Sequence, residues 1–399
     1  MSTTPETLAA QQSAPGTVII GAGHAGVECA FALRTAGYTL PITLLGAEAC
    51  EPYQRPPLSK GFLSGAMAAE RLALRSSQVY EKHGIQVHAG DPAAQLDCAS
   101  SVVTTASGRR IGFQQCVIAT GAHARTLPVL HGPDVYVLRN LADARALQAR
   151  LADACRLLVV GGGYLGLEAA ATAAKLGAQV VVLESSPALM SGKVSAHAST
   201  EFDAMHGQAG ICLRRNATGV DWAARPGGGW TALLPDGTSY DADAVLVSIG
   251  AEPDTGLAES AGIACDGGIL VDAQFRSSAP AVFAIGDCAR AYRHELGARA
   301  RVESVQNALD SARAAAAAIA MQAPPAGRPP TFWSEQHGRR LQIAGIVNPA
   351  IAVQDVVTRS ANGWLVERYQ QGLLAAVEAL DSPVEFIKSM KRIGSPPQP

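Results

Sequence analysis

Apolar residues fall into short, nearly unbroken runs of Val, Ile and Leu at residues 17–20, 42–45, 157–160 and 179–183. Runs without polar alternation predict strands covered on both faces, as in a parallel sheet under helices. The first and third runs each lead into an alanine-rich segment with an apolar stripe, ending at Gly37 and Gly177. Glycine suits the left-handed residue that closes a helix. Strand, helix and strand are therefore written twice, which predicts two α/β units. A strand at 116–118 runs into the glycine turn Ala119-Thr120-Gly121, and another at 281–285 runs into Gly286-Asp287. We read the second of these as the chain returning to the first unit. The apolar stretch 312–321 is too short to span a bilayer and predicts a packed helix.

The end of the chain changes character. Residues 341–347, 350–358, 364–369 and 373–379 predict antiparallel strands, with Asn362-Gly363 as a type I′ hairpin turn. Ser382-Pro383-Val384-Glu385 predicts a capping box with proline at the first helical position. Residues 322–330 (QAPPAGRPP) predict a stiff connector. The organisation expected is a mobile leader at 1–15, a first unit at 16–123 and 250–328, a second at 124–249, and an α+β domain at 329–399. No other repeat is evident.

Composition narrows the function. With 48% hydrophobic and 17% charged residues, the 399-residue chain reads as a soluble protein of two or three domains. A net charge of −2 gives no basic excess for nucleic acid, and no apolar run is long enough for a membrane. No basic segment precedes an apolar core near Met1, so no secretory signal is expected. The eight cysteines contain no C-x-x-C pair, which removes thioredoxin-type relays and zinc-ribbon spacing. They read as mostly buried small residues in a reducing cytoplasm, with no metal site.

The chemistry sits in two glycine loops, Gly21-Ala22-Gly23-His24-Ala25-Gly26 and Gly161-Gly162-Gly163-Tyr164-Leu165-Gly166. In each, the first glycine permits the turn, the second admits a pyrophosphate to the backbone, and the third lets helix pack on strand. The diphosphate then meets free N–H groups at a helix N-terminus. Two such loops point to two dinucleotides, most simply a flavin and a nicotinamide. Glu48 and Glu184 follow the second strand of each unit, where a carboxylate accepts hydrogen bonds from ribose hydroxyls. No basic residue follows Glu184 until Lys193, which favours NADH over NADPH. The proline-locked loop 51–60 (EPYQRPPLSK) carries Arg55 and Lys60, and Asp287 offers a carboxylate to a ribitol hydroxyl. These features point to FAD in the first unit. His24 reads as a spacer in its loop.

The motifs GAGHAG, PYQRPPLSK, ATGAHARTLP, GGGYLGLEAA, AIGDCAR, RVESVQNAL and FWSEQHGRRLQIAG resemble those of the oxygenase-coupled, NADH-dependent ferredoxin reductases. The resemblance runs from about residue 16 to 390, and PPLSK and FWS-[DE]-Q are more specific than either glycine loop. It implies a glutathione-reductase-like α/β fold: two Rossmann-like dinucleotide-binding domains plus an α+β C-terminal domain. It puts FAD on Gly21, Gly23, Ala25, Gly26, Glu48, Arg55, Lys60, Ala93, Thr120, Gly121, Arg139, Asp287, Val305 and Trp333. It puts NADH on Gly161, Gly163, Tyr164, Gly166, Glu168 and Glu184.

The implied reaction passes a hydride from NADH to flavin N5, with Lys60 beside it and paired with Glu168. Electrons then leave singly to a [2Fe–2S] ferredoxin that feeds a P450 or a Rieske-type oxygenase. Trp333 matches the tryptophan bordering the flavin and the docking surface. Arg339, Arg340, Lys388, Lys391 and Arg392 offer charge to steer an acidic ferredoxin. Three features depart from the family pattern. Ala47 replaces an acidic residue before Glu48, an arginine that commonly follows Leu189-Met190 gives way to Ser191-Gly192-Lys193, and the chain stops soon after the last helix. Two rival readings share the cofactor motifs: an NADH-dependent reductase of a quinone, radical metabolite or dioxygen, and an NADH-sensing flavoprotein like the apoptosis-inducing factors.

Overall fold

Strand Gly16–Ile20 is buried along its whole length and forms the centre of the first sheet. In the computed structural model, which describes residues 15–152 and 155–397, it pairs parallel with Ile42–Gly46 and with Arg110–Ile118. Ile85–Ala89 extends one side. On the other, Val282–Ala284 pairs parallel with Cys116, Val117 and Ile118, so the chain does return to the first sheet. Residues 1–14 of the expected leader lie outside the described residues. Helices His24–Thr35 and Val305–Ile319 share one apolar cluster through Ala25, Ala30, Ala308, Ala312 and Ala315. Small side chains let these two helices approach closely over the sheet.

The second sheet repeats the plan. Its order is Cys212–Arg214, Gln179–Leu183, Arg156–Val160, Ala244–Val247 and Val135–Tyr136, all parallel. Both cradle helices end as their glycines suggest. Gly37 and Gly177 have φ of 80° and 93°, and the N–H groups of Tyr38 and Ala178 reach back to Leu33 and Ala173 at 3.0 Å. The chain leaves the first sheet along Ala122–Ala124 and returns along Ala251–Pro253, and these two segments pair antiparallel. Two Rossmann-like units and an α+β C-terminal domain are thus the architecture found.

The C-terminal sheet has the order Thr331–Gln336, Arg339–Gly345, Leu373–Leu380, Trp364–Gln370 and Gln354–Arg359. Its first strand is absent from the apolar pattern because two of its inward residues, Ser334 and Gln336, are polar and buried. Three local expectations fail. Neither Asn362 nor Gly363 has positive φ, so the hairpin turn is not type I′. Ser360 closes a wider loop instead: its N–H donates to the Gly363 carbonyl at 3.0 Å, and its hydroxyl accepts the Gly363 N–H at 3.1 Å. Glycine is needed at 363 because a Cβ there would lie 1.8 Å from the Leu380 carbonyl oxygen. The capping box does not form either. Ser382 precedes helix Pro383–Met390, but its hydroxyl goes to the Leu380 carbonyl (3.1 Å) and the Ser360 hydroxyl (2.5 Å). Burial of the cysteines holds only for Cys29, Cys116, Cys155 and Cys288; Cys212 is exposed and Cys50, Cys98 and Cys265 are half-buried, on segments at sheet edges and loops.

The C-terminal sheet docks on the second unit partly through His206, which is 0% exposed on helix Ala196–Gln208. Its Nε2 lies 2.8 Å from Gln336 Oε1 and its Nδ1 lies 3.0 Å from His337 Nε2. Burial lowers its pKa from 6.5 to about 4; the Gln336 hydrogen bond opposes the shift and His337 adds to it. The folded value lies below the unfolded one. Stabilisation is therefore complete above about pH 6.5 and is lost as pH falls toward 4, by on the order of 3 kcal/mol. Thermal unfolding should show a lower midpoint at pH 5 than at pH 7.5. His206→Gln should shrink that difference, and an undiminished difference would assign it to other groups.

Candidate functional site

Both glycine loops open onto one cavity of about 1110 Å³ at the meeting point of the two sheets and the C-terminal domain. Gly21 and Gly161 have φ of 115° and 107°, and a Cβ on either would strike the backbone of a neighbouring strand. Gly26 and Gly166 serve packing. A Cβ would come within 1.9 Å of the Gly21 carbonyl oxygen in the first case and 2.4 Å of the Gly161 oxygen in the second. Gly23 is different, since a Cβ there would meet nothing within 4 Å and would point into open space. Helices His24–Thr35 and Tyr164–Lys175 begin at these loops, and their first-turn N–H groups have no intrahelical acceptor. Two dinucleotide diphosphates fit this geometry.

Charged side chains line the first half in opposed pairs. Glu48 accepts from the Tyr53 hydroxyl (2.6 Å) and from Arg55 Nη2 (2.8 Å). Arg55 Nη1 in turn donates to the Arg139 carbonyl at 2.6 Å, and Arg139 Nη2 lies 3.1 Å from Asp287 Oδ2. Arg301 donates to the Asp287 carbonyl at 3.1 Å. Thr120 bonds the Asp254 carbonyl at 2.7 Å. His24 is held to a pKa of about 4 by burial and then by Arg55, with Asp287 opposing, so it is neutral near pH 7. Ala25, Ala93, Gly121 and Val305 complete this wall.

A buried ion pair also lines the cavity. The 3₁₀ turn Pro56–Ser59, set by its two prolines, delivers Lys60, whose Nζ lies 2.5 Å from Glu168 Oε2. Lys60 also donates to the Pro56 carbonyl at 3.1 Å. Glu168, 5% exposed on the second cradle helix, receives Ser59 Oγ on the same oxygen at 2.6 Å. Its Oε1 receives Ser334 Oγ at 2.6 Å and the Glu335 N–H at 3.3 Å. Trp333 stands beside this pair, its ring centre 4.9 Å from Lys60 Nζ and 5.2 Å from Arg340 Cζ. Such distances suit cation–π attraction.

Glu184 does not line the cavity. Its Oε2 accepts the Gly162 N–H at 2.6 Å and its Oε1 accepts the Ser186 N–H at 2.7 Å, which ties it to the second loop. Lys193, remote from the loop in sequence, folds back over it, with Nζ 5.7 Å from the Tyr164 ring centre. Tyr164 also packs against Phe332, ring centres 4.5 Å apart and planes tilted by 40°. Of the basic residues expected to steer a partner, Arg339 is paired with Asp381 and Arg392 with Glu367. Arg340, Lys388 and Lys391 remain exposed. Ser59, Tyr53, Arg301 and Ser334 were not singled out from the sequence, although each lies inside a motif that was.

Residues 16–312 match the family described as pyridine nucleotide-disulphide oxidoreductase, and 331–396 match the reductase C-terminal domain. The chain belongs to this oxidoreductase family. A rubredoxin-NAD(+) reductase of Pseudomonas putida is 35% identical over 373 residues, covering 92% of this chain and 96% of the relative. The ferredoxin–NAD(+) reductase component of the biphenyl dioxygenase system of Paraburkholderia xenovorans is 36% identical over 384 residues, covering 94% and 92%. Among solved structures, the covalent putidaredoxin reductase–putidaredoxin complex aligns with a TM-score of 0.91 at 33% identity, over 96% of this chain and 93% of that one. The family name refers to a disulphide, yet Cys50 is the one cysteine on the cavity wall among the described residues. Those residues place no thiol pair there to relay electrons.

The two kinds of glycine should behave differently. Gly26→Ala should destabilise the fold by about 1–3 kcal/mol through overpacking, whereas Gly23→Ala should leave it unchanged. Thermal unfolding of the two variants checks this, and equal midpoints would remove the packing role from Gly26.

Proposed function

We propose that this chain is an FAD-dependent NADH:ferredoxin reductase, taking a hydride from NADH and passing single electrons to a [2Fe–2S] ferredoxin that serves a P450 or Rieske-type oxygenase. One observation carries the reading: both glycine loops face a single cavity, with the Lys60–Glu168 pair on its wall. FAD, when bound, supplies the chemistry of accepting two electrons together and releasing them one at a time. Gly21, Gly23, Ala25, Gly26, Glu48, Arg55, Ala93, Thr120, Gly121, Arg139, Asp287 and Val305 would hold it. Gly161, Gly163, Tyr164, Gly166 and Glu184 would hold NADH, the last from the rim of the loop it braces.

Lys60 offers positive charge to the cavity where negative charge develops on reduction. Glu168 keeps that ammonium in place, and the Ser59 and Ser334 hydroxyls fix the carboxylate. Trp333 and Arg340 join the cavity to the exposed face of the C-terminal sheet, where an acidic ferredoxin would dock. Arg214, whose carbonyl accepts the Glu184 N–H, is engaged by Asp236, and the adjacent Arg215 by Asp203. Both guanidiniums are engaged by carboxylates, and Glu184 would repel a 2′-phosphate, which supports NADH over NADPH. A cytoplasmic site of action belongs to the same proposal, supported by the free thiols of Cys50, Cys98 and Cys265.

The purified protein should be yellow and should bleach anaerobically with one equivalent of NADH, far faster than with NADPH. Reoxidation should be rapid with a [2Fe–2S] ferredoxin and slow with quinone or dioxygen. Rubredoxin is the sharpest comparator, given the relative named above. Equal rates with small acceptors would favour their reductase, and a long-lived reduced complex would favour a sensor. In stopped-flow bleaching, Lys60→Ala should slow hydride transfer by about 10–100-fold; a wild-type rate would remove Lys60 from the reaction.

A further inference from the structure

The carboxylate of Glu378 leaves the C-terminal sheet and enters the second dinucleotide unit. It lies on strand Leu373–Leu380 and is 1% exposed. Its Oε1 is 3.0 Å from Arg368 Nη1 and 2.8 Å from the Ser195 nitrogen, and its Oε2 accepts the Ser195 hydroxyl at 2.6 Å. Burial raises its pKa, and Arg368 and Ser195 oppose the shift. Burying a charge is costly, and an apolar pair would dock the same surfaces at lower cost. The partner of this carboxylate explains its presence.

Ser195 is the N-cap of helix Ala196–Gln208, and its oxygen accepts the Ala198 N–H at 3.2 Å. Because its proton goes to Glu378, its lone pairs remain turned toward the helix. The segment just before it covers the second glycine loop. Met190, at φ 51°, donates its N–H to the Gly162 carbonyl at 2.9 Å, and the Lys193 N–H donates to the Met190 carbonyl at 2.9 Å. The Lys193 carbonyl accepts the Tyr164 hydroxyl at 3.2 Å. Lys193 Nζ lies 3.7 Å from the position of a Cβ on Gly163. Residues 190–195 are thus fastened to the loop at one end and to Glu378 at the other.

We infer that Glu378 is a positioning residue for the nicotinamide dinucleotide: through Ser195 it holds Lys193 over the second glycine loop, where the diphosphate gains its counter-charge. This rests on the reading of that loop as the NADH site. It makes the C-terminal sheet, whose Glu378 lies off the cavity wall, a determinant of NADH affinity.

The test is a double-mutant cycle on the full-length flavoprotein, with NAD+ binding followed by calorimetry and flavin content followed by absorbance. Lys193→Ala should weaken NAD+ binding about tenfold, the loss of one charge-assisted contact. Glu378→Gln should weaken it several-fold with flavin content unchanged. In the Glu378→Gln background, Lys193→Ala should add less than about twofold. Equal Lys193→Ala effects in both backgrounds, or wild-type binding by Glu378→Gln, would overturn the inference while leaving the proposed function standing. If Glu378→Gln does not fold, Ser195→Ala, which keeps the Glu378–Arg368 pair, takes its place in the cycle with the same two outcomes. A wild-type protein that neither binds NAD+ nor bleaches with NADH would overturn the functional reading and this inference together.

Discussion

Glu168 is the point on which the three domains meet. Its two oxygens take donors from a loop of the first unit, Ser59 and Lys60, and from a strand of the C-terminal sheet, Ser334 and Glu335. The residue itself belongs to the second cradle helix. A carboxylate this buried is tolerable only when its lone pairs are filled, and breaking such a pair typically costs about 3–5 kcal/mol. The same contact that binds the domains therefore holds a lysine on the cavity wall. In the proposed reaction, stability and chemistry would share one group.

Around that centre the two units use backbone where a side chain would not fit. Their cradle helices rest on their strands because glycine occupies the crossing points, and the proposed diphosphate positions depend on that closeness. The alanine-rich helix Val305–Ile319 extends the same device. Its small side chains let a distant part of the chain close over the first sheet and bring its N-terminus to the cavity.

The charges around the cavity are arranged in alternation. Glu48 faces Arg55 and Arg139 faces Asp287, so a bound cofactor would meet oriented groups that are already paired. Preorganised dipoles and charges act without reorganising when charge develops. At the outer rim, ion pairing offsets the charges of Arg339 and Arg392 and leaves Arg340 beside Trp333, with Lys388 and Lys391 exposed. The basic surface left exposed is consequently smaller than the number of basic residues suggests.

The two cradles, the helix ends at Gly37 and Gly177, the return of the chain to the first sheet and most strands of the last domain were legible in the chain alone. These rest on local sterics: period of burial, glycine at left-handed positions, proline at fixed φ. Where a local signal failed, as at Asn362-Gly363 and Ser382, a contact outside the motif decided: the Ser360 hydroxyl takes the Gly363 N–H and meets the Ser382 hydroxyl, and the Leu380 carbonyl crowds position 363. Strand Thr331–Gln336 escaped the apolar pattern for the same reason, since its inward Ser334 bonds Glu168. It took the packed domains to pair Glu48 with Arg55 and Asp287 with Arg139, to return Lys193 to the second loop, and to bring Glu378 to Ser195. Hydrogen bonds and ion pairs act over a few ångströms, and the residues that make them come that close only when separate domains pack.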